Sequence, residues 1–140
     1  MENILLKVPA ENAYVQGKVL PVLYKYDLYF TNERIICISI GNPGLAFILG
    51  GVIAYVASKI KHKDKKGDKN ISELNQIIKD DKNSFDIKYS NIEKIDLKSV
   101  LLYYSLLITV KDKNYSATLK RKYAKEVRAI LNETVPNLLK

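Results

Sequence analysis

Alternating apolar and polar positions in the first forty residues predict antiparallel β-structure. Residues 3–8 and 12–16 predict two short strands separated at Pro9, and residues 18–30 predict a longer strand rich in β-branched and aromatic side chains. The polar stretch TNER at 31–34 predicts a turn, after which residues 34–40 form the next strand. The last two of these strands are therefore expected to form a hairpin.

Residues 43–83 interrupt the strand pattern and predict a helical insertion. An apolar helix over residues 43–60 begins at Pro43, a residue that favours the first turn of a helix. A Lys-rich linker follows at 61–69, and an amphipathic helix follows at 70–80. We expect the amphipathic helix to dock on the sheet through its apolar face.

Two segments carry apolar residues at helical spacing. One follows a helix start signal, and the other lies near the end of the chain. Asn70 and Glu73 have the spacing of a capping box, ahead of apolar residues three and four positions apart. Near the end of the chain Tyr123, Val127 and Leu131 recur at helical spacing. This second pattern predicts an amphipathic helix that closes the domain.

From residue 84 the apolar period returns to two. Residues 85–89 alternate, and the alternation resumes at 95–97 after a short break. Residues 102–111 and 115–119 flank the sequence KDKN, which is typical of a β-hairpin turn. The second half of the chain is therefore predicted to be a β-meander.

Three stretches of the sequence resemble motifs of one known family. YDLYFTNERIICIS at 26–39 resembles the strand-turn-strand of GRAM and bacterial or archaeal PH-like domains, and FDIKYSNIEKIDL at 85–97 is similar to a later segment of that family. SLLITVKDKNYSATL at 105–119 resembles its last hairpin. The resemblance implies an α+β fold, namely a PH-like antiparallel β-barrel of about seven strands. It also implies a C-terminal capping helix. The helical insertion at 43–83, which the resemblance does not cover, is then expected between strands 3 and 4.

The positions that match the family's motifs point to structural roles. The resemblance implies that Thr31 and Arg34 organise the hairpin turn and that Tyr89 is structural as well. PH domains that hold phosphoinositides use a basic cluster around their first hairpin, whereas this chain has only Lys18 and Lys25 in that region. Recognition of inositol lipids is therefore not expected.

Length and composition predict a single domain over residues 1–140. The chain has 47% apolar and 27% charged residues, which is typical of folded domains, and it carries a net charge of +8. Residues 1–58 contain four basic and four acidic side chains, so the whole excess of positive charge lies after residue 58. Such an excess favours anionic partners such as lipid headgroups or nucleic acid.

Residue types with catalytic or metal-binding chemistry are few. Cys37 is the one cysteine and His62 the one histidine, so no intrachain disulfide, thiolate metal site or histidine-based catalytic site can be assembled. No glycine-rich phosphate loop precedes a helix. We therefore expect a protein that is not an enzyme and that has no cofactor or metal. The first ten residues lack the features of a secretory signal, which predicts a cytoplasmic location.

The uncharged segment at 44–58 has three interpretations. As a helix it is about 22 Å long, short of the roughly 30 Å of a bilayer core, which disfavours a transmembrane span. Small residues every four positions favour packing on its own domain or on a second copy, and the lysines that follow favour an anionic membrane surface. The residues predicted for membrane contact or self-association are Leu45, Ala46, Leu49, Gly50, Ile53, Ala54 and Ser58. Those predicted for anionic-surface contact are Lys59, Lys61, Lys63, Lys65, Lys66 and Lys69.

These features predict a non-catalytic scaffold that forms a homo-oligomer or binds the inner membrane surface through residues 44–69. One alternative is an adaptor that binds a peptide or protein partner at a barrel edge. A nucleic-acid-binding domain is the weaker alternative, because net charge alone predicts only non-specific attraction. Its candidate contacts are Lys120, Arg121, Lys122, Lys125 and Arg128, with Tyr103, Tyr104 and Tyr115 as stacking faces.

Overall fold

The computed structural model describes residues 1–15, 24–40, 69–81, 83–111 and 113–139. The strands in this part of the chain are β1 (Ile4–Val15), β2 (Tyr24–Thr31), β3 (Arg34–Ser39), β4 (Phe85–Lys88), β5 (Ile92–Val100), β6 (Tyr103–Val110) and β7 (Lys113–Lys120). The helices are α1 (Ile71–Asp80) and α2 (Arg121–Thr134), and a short 3-10 turn (Tyr89–Asn91) joins β4 to β5. The predicted apolar helix at 43–60 lies outside the described residues, as does the linker up to residue 68.

The strands form one antiparallel sheet with the order β4-β3-β2-β1-β7-β6-β5. The long strand β1 belongs to both halves, because it pairs with β2 from Ile4 to Ala13 and with β7 from Glu11 to Val15. A register shift between Ala10 and Ala13 lies where β1 changes from one neighbour to the other, and such irregularities increase strand twist. The predicted α+β class, with seven antiparallel strands and a C-terminal helix, is confirmed.

The predicted break at Pro9 is wrong. β1 continues through this residue, which lies opposite Asp27 of β2. Proline has no backbone N–H to donate and is tolerated in strands at positions with a neighbour on only one side. Pro9 precedes the stretch that pairs with β7, so β1 has a single paired neighbour at this position.

The main hydrophobic core lies between the two halves of the sheet and α2. Leu28 of β2 and Leu106 of β6 belong to one buried cluster, so the sheet curves around a common interior. α2 contributes Val127 and Leu131, both fully buried, as the helical spacing predicts. After α2 the backbone oxygen of Leu138 accepts a hydrogen bond from the N–H of Ile95 at 2.8 Å, which ties the chain end to β5.

Helix α1 covers the outer face of β2 and β3. The side chain of Asn70 accepts a hydrogen bond from the N–H of Glu73 at 2.8 Å, which is half of the predicted capping box. Leu74 is fully buried against Tyr29, Ile36 and Ile38. β3 is thus covered on both faces, which explains why its sequence is an uninterrupted apolar run and does not alternate.

Candidate functional site

The β5–β6 hairpin ends in four large apolar side chains that are exposed to solvent. Val100 pairs with Tyr103, so the turn between them consists of Leu101 and Leu102 alone. The exposed fractions are 51% for Val100, 89% for Leu101, 76% for Leu102 and 46% for Tyr103. Isolated exposed apolar residues are common on protein surfaces, whereas contiguous ones mark interaction sites. These four residues are called the apolar tip below.

The backbone of this turn does not suit the residue that it carries. Leu101 has a φ angle of 53° and is the one non-glycine residue with positive φ in the described part of the chain. For residues other than glycine this left-handed conformation costs about 1–2 kcal/mol. Two-residue hairpin turns with positive φ at the first central position favour glycine there. Neither burial nor backbone geometry therefore explains a leucine at position 101.

A group of exposed cations borders the apolar tip. Lys120 lies opposite Tyr103 in the β6–β7 pair, and Lys98 precedes Val100 by two residues on β5. The other members follow in the first turns of α2: Arg121, Lys122 and Lys125. No carboxylate within the described ranges forms an ion pair with any member of this group. The five side chains are called the basic patch below.

The stability of α2 does not explain the basic patch. Lys120 is the N-cap residue but makes no side-chain capping hydrogen bond, and the first turn has no acidic residue. Because a helix N-terminus carries partial positive charge, each cation there is unfavourable by about 0.3–1 kcal/mol. The Nζ of Lys122 lies over the ring of Tyr123, 4.9 Å from its centroid. The positive charge is therefore concentrated at a place where the helix itself disfavours it.

Thr31 organises the turn between β2 and β3. Its Oγ1 accepts hydrogen bonds from the backbone N–H groups of Glu33 and Arg34, at 3.0 and 2.9 Å. The Tyr89 hydroxyl donates to the backbone oxygen of Thr31 at 2.8 Å, and burial raises the pKa of this hydroxyl. These contacts confirm the structural roles that the sequence predicts for Thr31 and Tyr89.

Arg34 connects side chains from three distant parts of the chain. Its guanidinium donates to the carboxylate of Glu2 at 2.8 and 3.0 Å, to Asp86 at 3.0 Å and to Asn75 at 2.6 Å. The hydrogen bond from Arg34 is the main reason why the pKa of Glu2 lies below its ordinary value. Since all three guanidinium nitrogens already have acceptors, we assign Arg34 to the structure of the domain and not to a ligand site.

A small apolar cavity lies between the two halves of the sheet. Its volume is about 30 Å³, which is the space of a single water molecule and too small for an organic ligand. Phe85 in its wall packs on Tyr26 and Tyr115, with ring centroids 5.8 and 5.1 Å apart. Tyr115, a predicted stacking face for nucleic acid, is thus already stacked within the protein. Cys37 also lines the cavity, and burial raises the pKa of its thiol.

Most residues that the sequence predicts for membrane contact or self-association lie outside the described ranges. This applies to every such position between 45 and 58 and to the lysines between 59 and 66. Lys69 is described, and it is buried at the start of α1 with an exposed fraction of 8%. Of the apolar tip, only Tyr103 was among the predicted sites, as a stacking face for nucleic acid; Val100, Leu101 and Leu102 were not, because they continue the apolar pattern of the adjoining strands.

The described helices, the potential metal ligands and the comparisons with known proteins assign no function. Neither described helix is long and apolar enough to cross a bilayer. The described residues contain no group of three His, Cys, Asp or Glu side chains placed to hold a metal ion. The chain matches no protein-family model, no curated protein and no solved structure. A functional assignment therefore depends on the surface of the domain, where the basic patch and the apolar tip adjoin.

Proposed function

We propose that the protein is a non-catalytic PH-like module that binds anionic membrane surfaces as a peripheral protein. The basic patch is the observation that carries this proposal. The PH-like relationship is supported by the three sequence motifs, by the first strand shared between two halves of a curved sheet, and by the helix that packs into its interior.

The charge of the basic patch fits an extended anionic surface. All five side chains are exposed. They lie on β5, at the end of β7 and in the first turns of α2, and none has an ion-pair partner among the described residues. A lysine or arginine near an anionic bilayer contributes about 1 kcal/mol. The group as a whole can therefore supply several kcal/mol, and this contribution falls as salt screens the charges.

Three alternatives have less support. Binding of a peptide along β5 is disfavoured because the chain already occupies part of this edge: Ile95 donates to Leu138, and Arg128 donates to the backbone oxygen of Leu97 at 3.0 Å. Self-association or membrane contact through residues 44–69 stays a prediction. Nucleic acid would bind the same cations, so it is tested as a competing outcome.

The test is binding of the full chain to sedimenting vesicles of phosphatidylcholine, with or without phosphatidylserine, at low and high salt. We expect binding only to vesicles that contain phosphatidylserine, and we expect salt to weaken it. Lys120→Glu combined with Lys122→Glu should abolish most of the binding, and acidic residues suit a helix N-terminus, so folding is preserved.

The matched control carries Lys111→Glu and Lys113→Glu, because both lysines are exposed and lie at the opposite end of the β6–β7 hairpin. This control has the same net charge as the test variant. Equal loss of binding in both variants would show general charge attraction and no localised site. Absence of vesicle binding by the unmodified protein, with tight binding to single-stranded RNA, would overturn the proposal in favour of nucleic acid.

A further inference from the structure

We propose that the apolar tip inserts into the interface of the anionic bilayer to which the basic patch binds. The inference rests on the proposed function for the identity of the membrane. It adds a second kind of contact, made by Val100, Leu101, Leu102 and Tyr103, that does not depend on charge.

The shape of the hairpin end suits a bilayer. The two-residue turn lies at the extremity of paired strands, and its leucines are 89% and 76% exposed, so no described element packs over them. A bilayer interface accepts a projecting apolar group without a pocket of matching shape. Amphipathic elements that bind membranes peripherally bury their apolar side by about 5–10 Å, which is within the reach of such a turn.

The order of residue types along the hairpin matches the layers of a membrane surface. The leucines are outermost, and Tyr103 follows, a residue type that is enriched at the level of the headgroups. Lys98 lies two residues behind Val100, about 7 Å along the strand, and Lys120 lies opposite Tyr103. The ammonium groups can then contact headgroup phosphates while their alkyl stems remain in the less polar layer.

A lipid surface fits the apolar tip better than a protein partner does. Stable protein interfaces bury roughly 800 Å² on each partner, more than four partly exposed side chains provide. Insertion into a bilayer has no such minimum, because it adds to the attraction of the adjoining cations for anionic lipid. The basic patch also disfavours a second copy of the same surface, since two identical patches would repel each other.

The first test removes the apolar side chains without disturbing the turn or the charge. Leu101→Gly combined with Leu102→Ser gives the turn a residue suited to positive φ, so the variant should fold at least as well as the parent. We expect binding to phosphatidylserine vesicles to weaken by at least about tenfold, because the gain from burying two leucines is lost. The residual binding should depend more steeply on salt than that of the parent protein.

A second test reports the depth of the tip directly. The chain contains no tryptophan, so Leu102→Trp introduces a single tryptophan, whose emission can be excited selectively over that of the tyrosines. With anionic vesicles we expect its emission to shift to shorter wavelength and to be quenched by lipids with brominated acyl chains. Lys111→Trp, at the other end of β6, is the matched control and should show neither effect.

The outcomes separate the inference from the proposed function. If the parent protein does not bind anionic vesicles, both fail. If the parent binds but the glycine–serine variant binds equally well and the tryptophan is not quenched, insertion is overturned and charge-driven binding stands. A third outcome would assign the apolar tip to a second copy and overturn the lipid contact. In that outcome the emission of Leu102→Trp is already shifted to shorter wavelength without vesicles. The parent protein also has the mass of a dimer in solution, whereas the glycine–serine variant has the mass of a monomer.

Discussion

The guanidinium of Arg34 holds both carboxylate oxygens of Glu2, with distances of 2.8 Å from Nε and 3.0 Å from Nη2. Each of the two side chains is only 13% exposed, so the pair is largely removed from water. Arg34 also binds Asp86 of β4 and Asn75 of α1. The N-terminus, the sheet and α1 are therefore held together at one side chain.

We expect Arg34→Met to lower the free energy of unfolding by about 2–4 kcal/mol, because it leaves two acidic side chains without their cation. Urea denaturation measures the change. Lys7→Met is the control, since Lys7 forms a more exposed ion pair with Asp27 at 3.8 Å and should contribute less than about 1 kcal/mol. A similar decrease in the free energy of unfolding in the two variants would contradict the larger contribution to stability that we assign to Arg34.

The same pair predicts a dependence of stability on pH. Arg34 lowers the pKa of Glu2 from its ordinary value of 4.5, so the folded state binds this proton more weakly than the unfolded state. The contribution of Glu2 is therefore complete above pH 4.5 and is lost as pH falls through the lowered pKa. We expect the difference in stability between the parent and Glu2→Gln to shrink below that pH. A difference that stays constant from neutral to acid pH would argue against the pair.

Local patterns in the sequence predict both described helices and the strands apart from the unbroken β1, because each of these depends on residues a few positions apart. The TNER turn, the KDKN turn and the face of α2 are examples. The partnership of Glu2 with Arg34 could not be predicted in this way. Thirty-two positions separate the two residues. No local pattern shows that β1 pairs with β2 in a register that brings the first residues of β1 next to the TNER turn.

The apolar tip shows a second limit of prediction from pattern. Residues 100–104 read VLLYY, and an apolar run of this kind predicts a buried strand. The structure instead places a turn at Leu101 and Leu102, whose side chains are exposed because no described element packs over them. The sequence contains no glycine or asparagine to mark that turn, so the usual signal of a hairpin is missing.

The docking of α1 predicts a measurable loss in Leu74→Ala. Leu74 is fully buried against β2 and β3, and truncation of such a side chain costs about 2–5 kcal/mol. Gln76→Ala on the exposed face of α1 is the control and should change the free energy of unfolding by less than about 0.5 kcal/mol. Chemical denaturation measures both. An unchanged stability in Leu74→Ala would mean that α1 does not pack on the sheet in solution.

Cys37 is expected to be unreactive in the native protein. Its exposed fraction is 5%, and burial raises the pKa of the thiol, so little of the reactive thiolate forms at neutral pH. A chromogenic disulfide reagent should therefore modify the native protein slowly and the urea-unfolded protein at once. Because the chain has one cysteine, the released colour reports this residue alone. Rapid modification under native conditions would contradict a closed core at this position.

The positive φ of Leu101 predicts opposite effects of glycine at two adjacent positions. Leu101→Gly should raise the free energy of unfolding by up to about 1 kcal/mol, since relief of the left-handed strain exceeds the entropy that glycine adds to the unfolded chain. Leu102 does not share the positive φ, so Leu102→Gly should lower stability by about 0.5–1 kcal/mol. Thermal and urea denaturation of the two variants provide the comparison. A stabilised Leu101→Gly protein that binds anionic vesicles less well would show that the leucine lowers the stability of the fold and serves the membrane contact.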